Sequence, residues 1–427
     1  MYNTVKENKF GNHPCYNADV RHTTGRIHLP VAPDCNIQCN FCNRKYDCVN
    51  ESRPGVTSSI LTPDQALSYL DKVLKIVPKI SVVGIAGPGD PFATPEETLE
   101  TLEAVGEKYP EKLLCLASNG LNVAPYVDRL AKLNVSHMTI TVNAVDPEIG
   151  AQIYSWVRSG SHVCHGTEAA RILLEKQTEA IKKLHAAGIL IKINTVIIPG
   201  INDKHAAEVA EYCKNLGADI QNCIALMSVE DTPFEHIITP TQKEMVELRT
   251  KTGKYIEQMC HCARCRADAV GILGEQNNEA VRDLLTEAAH VGPSEKRPYI
   301  AVASMEGMLV NQHLGEASEL WVFKQNKAGS LELVTARQTP NPGTGEDRWK
   351  QMASTFSDCF AVICAGCGKA PLRALAKHKL PVIIMEGLIE EGTKSLFKGN
   401  PIPKLFIRPA GVCAVGKSCG GNGTGCD

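Results

Sequence analysis

The stretch 34–54, reading DCNIQCNFCNRKYDCVNESRP, sets Cys35, Cys39 and Cys42 at C-x3-C-x2-C spacing, with Cys48 just beyond. The apolar run 26–32 (RIHLPVA) comes immediately before it and reads as a strand. A loop leaving such a strand can set three thiolates against three irons of one cubane 4Fe-4S cluster. The fourth iron is then left without a protein ligand. Four-cysteine sets serve electron-transfer clusters, so a three-cysteine set points to an iron kept open for another ligand. The alternative is a zinc knuckle in which Cys48 supplies the fourth ligand.

Strands and helices alternate on either side of this loop. Thr62-Pro63 opens an amphipathic helix to about Val77, with Thr62 as N-cap and Pro63 at the first helical position. Residues 79–86 (KISVVGIA) read as a buried strand that ends in Gly87-Pro88-Gly89-Asp90, and a helix runs from Thr94 to about Lys108. Strand 112–117 leads into Ser118-Asn119-Gly120, and a helix follows near 122–133. Strand 137–143, a long helix near 167–187, strand 190–198, a helix near 203–216 and a strand near 219–226 complete the series. This alternation predicts a parallel α/β architecture. The cysteine and glycine motifs fall just after strand ends, where barrel-type enzymes place their chemistry. The expected fold is therefore α/β, a partial (β/α)6 barrel over residues 26–230.

Residues 1–25 form a polar segment that carries Cys15, and the barrel with its extension spans 26–290. Within the extension, a polar helix at 240–259 leads into Cys260-His261-Cys262-Ala263-Arg264-Cys265, and another helix runs to about Ala289. Residues 291–297 (VGPSEKR) read as a linker. A second small α/β domain follows over 298–408, with strands at 299–304, 319–324, 331–337, 360–364 and 381–385. A Cys- and Gly-rich tail occupies 409–427. A formal charge of -2 gives no reason to expect nucleic acid or an anionic membrane as partner. The N-terminus lacks the pattern of a signal peptide, and no apolar run reaches the length of a bilayer span. Without an export signal, the 18 cysteines read as metal ligands rather than a disulfide framework, and the cytoplasm is the expected location.

Gly87-Pro88-Gly89-Asp90 follows the second strand, where glycines let the backbone approach a ligand closely. Cys262-x2-Cys265 is ambiguous by itself between zinc, a redox dithiol and iron–sulfur. Its spacing to Cys260 and His261 is too tight, so a distant cysteine must complete it, and Cys48 is the attractive candidate. Cys15, His28 and Cys115 are scattered over three segments and read individually as core thiols and a core histidine.

The C-x3-C-x2-C motif, with Phe41 before its last cysteine, resembles the signature of radical S-adenosylmethionine (SAM) enzymes. There the open iron chelates SAM, and reductive cleavage yields a 5'-deoxyadenosyl radical. Segments RIHLPVAPDCNIQCNFCNRKYDCVNESRPGVTSSILTP, AGPGDPFAT, CLASNG, KINTVIIPGIND and HCARCRADAVGILGE closely resemble the NifB family of nitrogenase cofactor maturases. Residues 298–400 resemble the ribonuclease-H-like, NifX-type cofactor-binding domain, with VNQHLGEAS as the recognisable piece. The resemblance implies that Cys35, Cys39 and Cys42 hold the SAM cluster. Gly87, Pro88, Gly89, Asp90, Asn119 and Asn143 are then expected to contact SAM. It also implies two further 4Fe-4S clusters as substrates, one on Cys15, His28 and Cys115 and the other on Cys48, Cys262 and Cys265. The implied reaction, of lyase type, fuses them into the eight-iron precursor NifB-co of the FeMo cofactor, with a SAM-derived carbide and an added sulfur.

Implied partners are iron–sulfur cluster donors, downstream carrier or scaffold proteins, and an electron donor such as ferredoxin or flavodoxin. Glu51, Arg53, Arg266 and Asp268 are expected to orient SAM or shuttle protons, or else to shape the loop as ion pairs. Cys164, Cys213, Cys223 and Cys359 are expected to pack as small hydrophobes. Cys364, Cys367, Cys413, Cys419 and Cys426 depart from a plain NifX-type pattern and are candidates for docking a cluster, and His313 is the best cofactor-contact candidate in this domain. Two rivals stand beside this reading. One is another multi-cluster radical SAM maturase, and the other is an iron–sulfur carrier without SAM chemistry.

Overall fold

The computed structural model describes residues 11, 13–50, 59–274, 279–289, 291–342, 345–398 and 406. The chain divides into two compact units, Met1–Ala289 and His290–Asp427.

The first unit begins with strands β1 (Gly25–His28), β2 (Ile37–Cys39), β3 (Ile80–Ile85), β4 (Leu113–Ser118) and β5 (Val135–Thr141). It continues with β6 (Tyr154–Ser159), β7 (His162–Cys164), β8 (Leu190–Ile197), β9 (Ile220–Ala225), β10 (Glu257–Gln258) and β11 (Val270–Gly271). The main sheet runs β10-β9-β8-β5-β4-β3-β1-β11. Its strands β1, β3, β4, β5, β8 and β9 are mutually parallel, as a (β/α)6 arrangement requires. β11 lies antiparallel against β1. Among the described residues the sheet does not close, and β10 and β11 are its two edges.

Successive side chains on a strand point to opposite faces. Ile27, Val83, Leu114, Leu116, Met138, Ile140, Ile191 and Ile193 join the helix-side core with Tyr69, Leu70, Leu99 and Leu102. The alternate positions Arg26, His28, Cys115, His137, Thr139, Lys192 and Asn194 therefore face the concave side. This side is polar and sulfur-bearing, so the strands are not the uniform apolar runs usual in parallel sheets.

The helices Pro63–Ile76 and Pro95–Lys108 form where the Pro-after-Thr signals predict them. Thr62 caps the first through a reciprocal bond with Gln65. The expected helix at 240–259 is shorter. It spans Gln242–Thr252, ends at Gly253, and yields to β10, which pairs with β9. A small sheet β2-β6-β7 was not expected from the sequence. It pairs Gln38 with Trp156 and Cys39 with Tyr154, and fixes the cysteine loop over a core that includes Ile37, Phe41, Val157 and Leu173.

The second unit has strands β12 (Tyr299–Val302), β13 (Leu309–Val310), β14 (Glu319–Gln325), β15 (Leu331–Gln338), β16 (Cys359–Cys364), β17 (Val382–Ile384) and β18 (Gly387–Leu388). Its main sheet runs β15-β14-β12-β16-β17, antiparallel from β15 to β12 and parallel from β12 to β17. Its core gathers Leu320, Val322, Trp349, Met352 and Phe356 with Cys359, Cys364 and Cys367. Removing the N-cap hydroxyl with Thr62→Ala should destabilise the first unit by about 1 kcal/mol, read as a lower urea midpoint in far-UV circular dichroism.

Candidate cluster and cofactor site

The first constellation lies at the carboxyl ends of the parallel strands. Cys35, Cys39, Cys42 and Cys48 line a small pocket, partly open to solvent, together with Arg44, Asp90 and Asn119. Asn50 Nδ2 stands between the sulfurs of Cys39 and Cys48, at 3.7 and 3.6 Å. The 87–90 segment grips the loop through backbone bonds. Gly89 N donates to Ala32 O at 2.6 Å, Asp90 N to Asp34 O at 2.6 Å, and Cys48 N to Pro88 O at 2.9 Å. A Cβ at position 89 would overlap the Asp34 carbonyl, so this approach requires glycine.

The buried Asp90 carboxylate accepts from the backbone N–H of Asn119 at 2.6 Å and of Phe92 at 2.9 Å, and from Ser118 Oγ at 3.0 Å. It thereby ties the segments after β3 and β4 together. Burial raises its pKa while these hydrogen bonds work in the opposite direction. Asn119 Nδ2 donates to Asn36 Oδ1 at 2.6 Å. Asn143 does not line the pocket and reaches it through Asn50, whose Oδ1 accepts from Asn143 Nδ2 at 3.2 Å.

The second constellation lies deeper on the concave face. His28, Gly84 and Cys115 are aligned across β1, β3 and β4. A Cβ on Gly84 would sit 3.1 Å from His28 Cδ2, so the glycine makes room for the imidazole. His28 Nδ1 lies 3.0 Å from the Arg266 carbonyl. A carbonyl only accepts, so Nδ1 carries the proton and Nε2 keeps its lone pair, the arrangement that prepares a histidine for a metal. Burial and the neighbouring Arg26 charge hold the His28 pKa down to about 4, which keeps it neutral at physiological pH.

Cys262 and Cys265 arrive on the connection between β10 and β11. Because those strands are opposite edges of the sheet, this connection must span its open side. Along it, His261 Nε2 bonds Pro14 O at 2.9 Å, and Arg264 donates to Ala225 O. The Ala269 carbonyl accepts from His28 N at 2.8 Å. Arg26 donates to the Cys265 sulfur from Nε at 3.3 Å and from Nη2 at 3.1 Å. Cys15 and Cys262 pack against the same cluster of Tyr16, Leu190, Ile220 and Met259. Burial pushes the Cys15 thiol up to about 11, with Lys192 opposing and Cys265 and Cys262 adding to the rise.

The structure thus brings Cys35, Cys39 and Cys42 together and sets Cys48 beside them. It packs Cys15 and Cys262 on one apolar cluster at the base, with Cys265 near enough to act on the Cys15 thiol, and aligns His28 with Cys115; among the described residues no three such side chains are set to hold a bare metal ion. Sequence reading missed Arg44 and Asn50 in the pocket, and Arg26, Lys192, Tyr16 and His137 at the base. For Arg26, His137 and Lys192 the one sequence signal is a charged or polar residue at every second place in an apolar strand, whereas Tyr16, Arg44 and Asn50 lie outside the strands. The Tyr16 ring lies 4.4 Å from His137, and Lys192 stands over it at 5.9 Å. Arg266 pairs with Asp268 at 3.2 Å.

Glu51, Arg53, Cys413, Cys419 and Cys426 lie outside the described residues. Cys213, Cys223 and Cys359 are fully buried, Cys164 is half-buried at the edge of its sheet, and Cys260 is exposed. Cys364 and Cys367 are sealed in the apolar core of the second unit. His313 is half-buried there, with its ring against Gly366 and its Nδ1 accepting from Gly315 N at 3.1 Å.

Residues 29–213 match the Radical SAM superfamily, and residues 296–399 match the dinitrogenase iron-molybdenum cofactor family. The FeMo cofactor biosynthesis protein NifB of Chlorobaculum tepidum is 52% identical over 419 residues, covering 97% of this chain and 99% of that protein. This chain belongs to the NifB family. NifB of Klebsiella pneumoniae is 39% identical, over 86% of this chain and 85% of its own length. NifB of Azotobacter vinelandii is 37% identical, over 85% and 82%. The chain is accordingly a radical SAM enzyme of FeMo cofactor biosynthesis and nitrogen fixation, and its family implies a 4Fe-4S cluster and SAM. Among the described residues, no helix is long and apolar enough to cross a membrane.

The pocket residues suit that pair of groups. Burial, with Asp90 adding to it, pushes the Cys35 thiol up to about 12. Burial and then the neighbouring thiols drive Cys39 well upward, and burial raises Cys42. Such thiols keep their protons until a cationic iron core displaces them. Beside them Asn36 Nδ2 is buried with no hydrogen-bond partner among the described residues, a donor available to an acceptor such as a carboxylate. Gly89→Ala should shift the 87–90 backbone. The variant should show a lower urea midpoint and a blunted change in the cluster EPR spectrum when SAM is added to reconstituted protein.

Proposed function

We propose that this enzyme joins two 4Fe-4S substrate clusters, with a carbide from SAM and an added sulfur, into the eight-iron precursor of the FeMo cofactor. The observation that supports this most is the gathering of Cys15, His28, Cys115, Cys262 and Cys265 on the concave face of the barrel that also carries the Cys35, Cys39 and Cys42 pocket. An enzyme needing only one cluster has no use for five further ligating side chains there.

Cys35, Cys39 and Cys42 hold the cluster that supplies the electron for SAM cleavage. Gly87, Pro88, Gly89 and Asp90 would shape the floor against which SAM lies, Asn119 would supply a polar contact at the next strand end, and Asn143 would act through Asn50. One substrate cubane is held by Cys15, His28 and Cys115, and the other by Cys48, Cys262 and Cys265. One SAM gives its methyl to a substrate sulfide and leaves as S-adenosylhomocysteine. Cleavage of a second SAM, with the electron that a cluster on Cys35, Cys39 and Cys42 would supply, would account for hydrogen abstraction from that methyl and for methionine and 5'-deoxyadenosine as products. Further protons are lost to nearby bases before the carbon is enclosed. Glu51 and Arg53 are assigned to orienting SAM. Arg44 balances the negative charge of the loop, as its guanidinium faces the thiols of Cys35, Cys42 and Cys48.

A neutral imidazole leaves iron more readily than a thiolate does, so His28 suits a cubane that must be given up. The partners are cluster donors, a reductant of the ferredoxin or flavodoxin kind, and carrier proteins that take the product. Reduced, reconstituted protein given SAM should form both 5'-deoxyadenosine and S-adenosylhomocysteine, with three 4Fe-4S clusters per chain by iron and sulfide analysis. Neither product forming would leave only a carrier. His28→Cys should retain its iron yet form less precursor, and undiminished precursor would reject the role given to the imidazole.

A further inference from the structure

His13 stands two residues before Cys15, and one nitrogen of its imidazole has no use within the fold. The ring is buried, 2% exposed. Its Nδ1 accepts from the backbone N–H of Cys15 at 3.1 Å. A ring nitrogen that accepts carries no proton, so the imidazole is neutral and its proton sits on Nε2. That Nε2–H is buried with no hydrogen-bond partner among the described residues. Leaving such a donor unpaired is costly, which points to an acceptor that arrives from outside the chain.

The surroundings indicate what that acceptor is. The rings of Tyr16 and His137 pack on His13, with centroids at 4.9 and 4.3 Å. His137 is paired in register with Cys115 on the neighbouring strand. His28 and Lys192 lie close enough to act electrostatically on the His13 ring. His13 is thus bonded to Cys15, lies near His28, and packs on the strand neighbour of Cys115. Lys192 is a donor like Nε2 itself and cannot satisfy it.

We propose that the Nε2–H of His13 donates a hydrogen bond to a sulfur of the substrate cubane held by Cys15, His28 and Cys115. The inference rests on the reading that this trio binds a cubane. Sulfur accepts more strongly as negative charge builds on it, so the bond favours the reduced cluster, and hydrogen bonds to the sulfurs help set a cluster's potential. His13 therefore orients this cubane and raises its reduction potential. The same ring holds the Cys15 backbone, so one side chain places both a ligand and a hydrogen bond.

The test uses full-length protein carrying Cys35→Ala, Cys39→Ala, Cys42→Ala, Cys262→Ala and Cys265→Ala, reconstituted anaerobically with iron and sulfide. One 4Fe-4S cluster should remain, and its loss on adding Cys115→Ala assigns it to the trio. No cluster, or one indifferent to Cys115→Ala, sinks the underlying reading before His13 is touched. In the five-alanine background, His13→Asn keeps an acceptor for the Cys15 N–H but is too short to reach the cubane. It should retain iron while the midpoint potential falls by about 59 mV, a ten-fold change in the one-electron equilibrium, and the EPR g values shift. His13→Gln sets an amide N–H near the position of Nε2 and should restore both. A midpoint and g values that His13→Asn leaves unchanged overturn the proposal, since Nε2 would then be satisfied by water. Where His13→Asn costs the cluster itself, His13→Gln decides. A cluster at the parental midpoint supports the hydrogen bond, and a lost or shifted cluster assigns the ring to the fold alone and overturns it.

Discussion

Burying several thiols in one concave space is the constraint on which this architecture turns. A thiolate away from water is disfavoured by desolvation and by every other thiolate nearby. That is why Cys15, Cys35 and Cys39 are all pushed toward the protonated form. A cationic iron–sulfur core would reverse that balance for the thiols it bound. The protein contributes counter-charges fixed in place: Arg44 in the upper pocket, and Arg26 and Lys192 at the base. The polar inner face of the strands is thus the counterpart of the apolar outer face that packs the helices.

Much of this was readable from the sequence, for identifiable reasons. Strands of six to eight residues such as β3, β4, β5 and β8 are strongly patterned, and helix starts at Thr62-Pro63 and Thr94-Pro95 are chemically marked. The C-x3-C-x2-C loop announces its chemistry because all three ligands are local. By contrast, β2 is three residues long and is made a strand only by pairing with β6 more than a hundred residues later. The helix expected over 240–259 stops at Gly253 because pairing of Glu257 with Ile220 competes for the rest. Arg26 and Lys192 sit in otherwise apolar strand sequences. Their meaning appears only once the inner face is assembled.

The same locality argument covers the cysteines outside the loop motif. Cys15 and Cys262 pack on one apolar cluster through chain folding that no spacing rule encodes, and Cys48 shares the upper pocket with Cys39. In the second unit, Cys364-x2-Cys367 has the spacing of a metal or redox pair. Its burial in an apolar core instead gives both thiols ordinary packing partners.

The connection between β10 and β11 is neither strand nor helix, yet it bridges the two free margins of the sheet and bears Cys262 and Cys265. The segment that spans the open side of the sheet is therefore the same one that carries these two thiols. A ring completed by hydrogen-bonded strands has a fixed girth, whereas one completed by a tether can widen as its contents grow. The width of the concave face is thus not set by any closing ladder among the described residues.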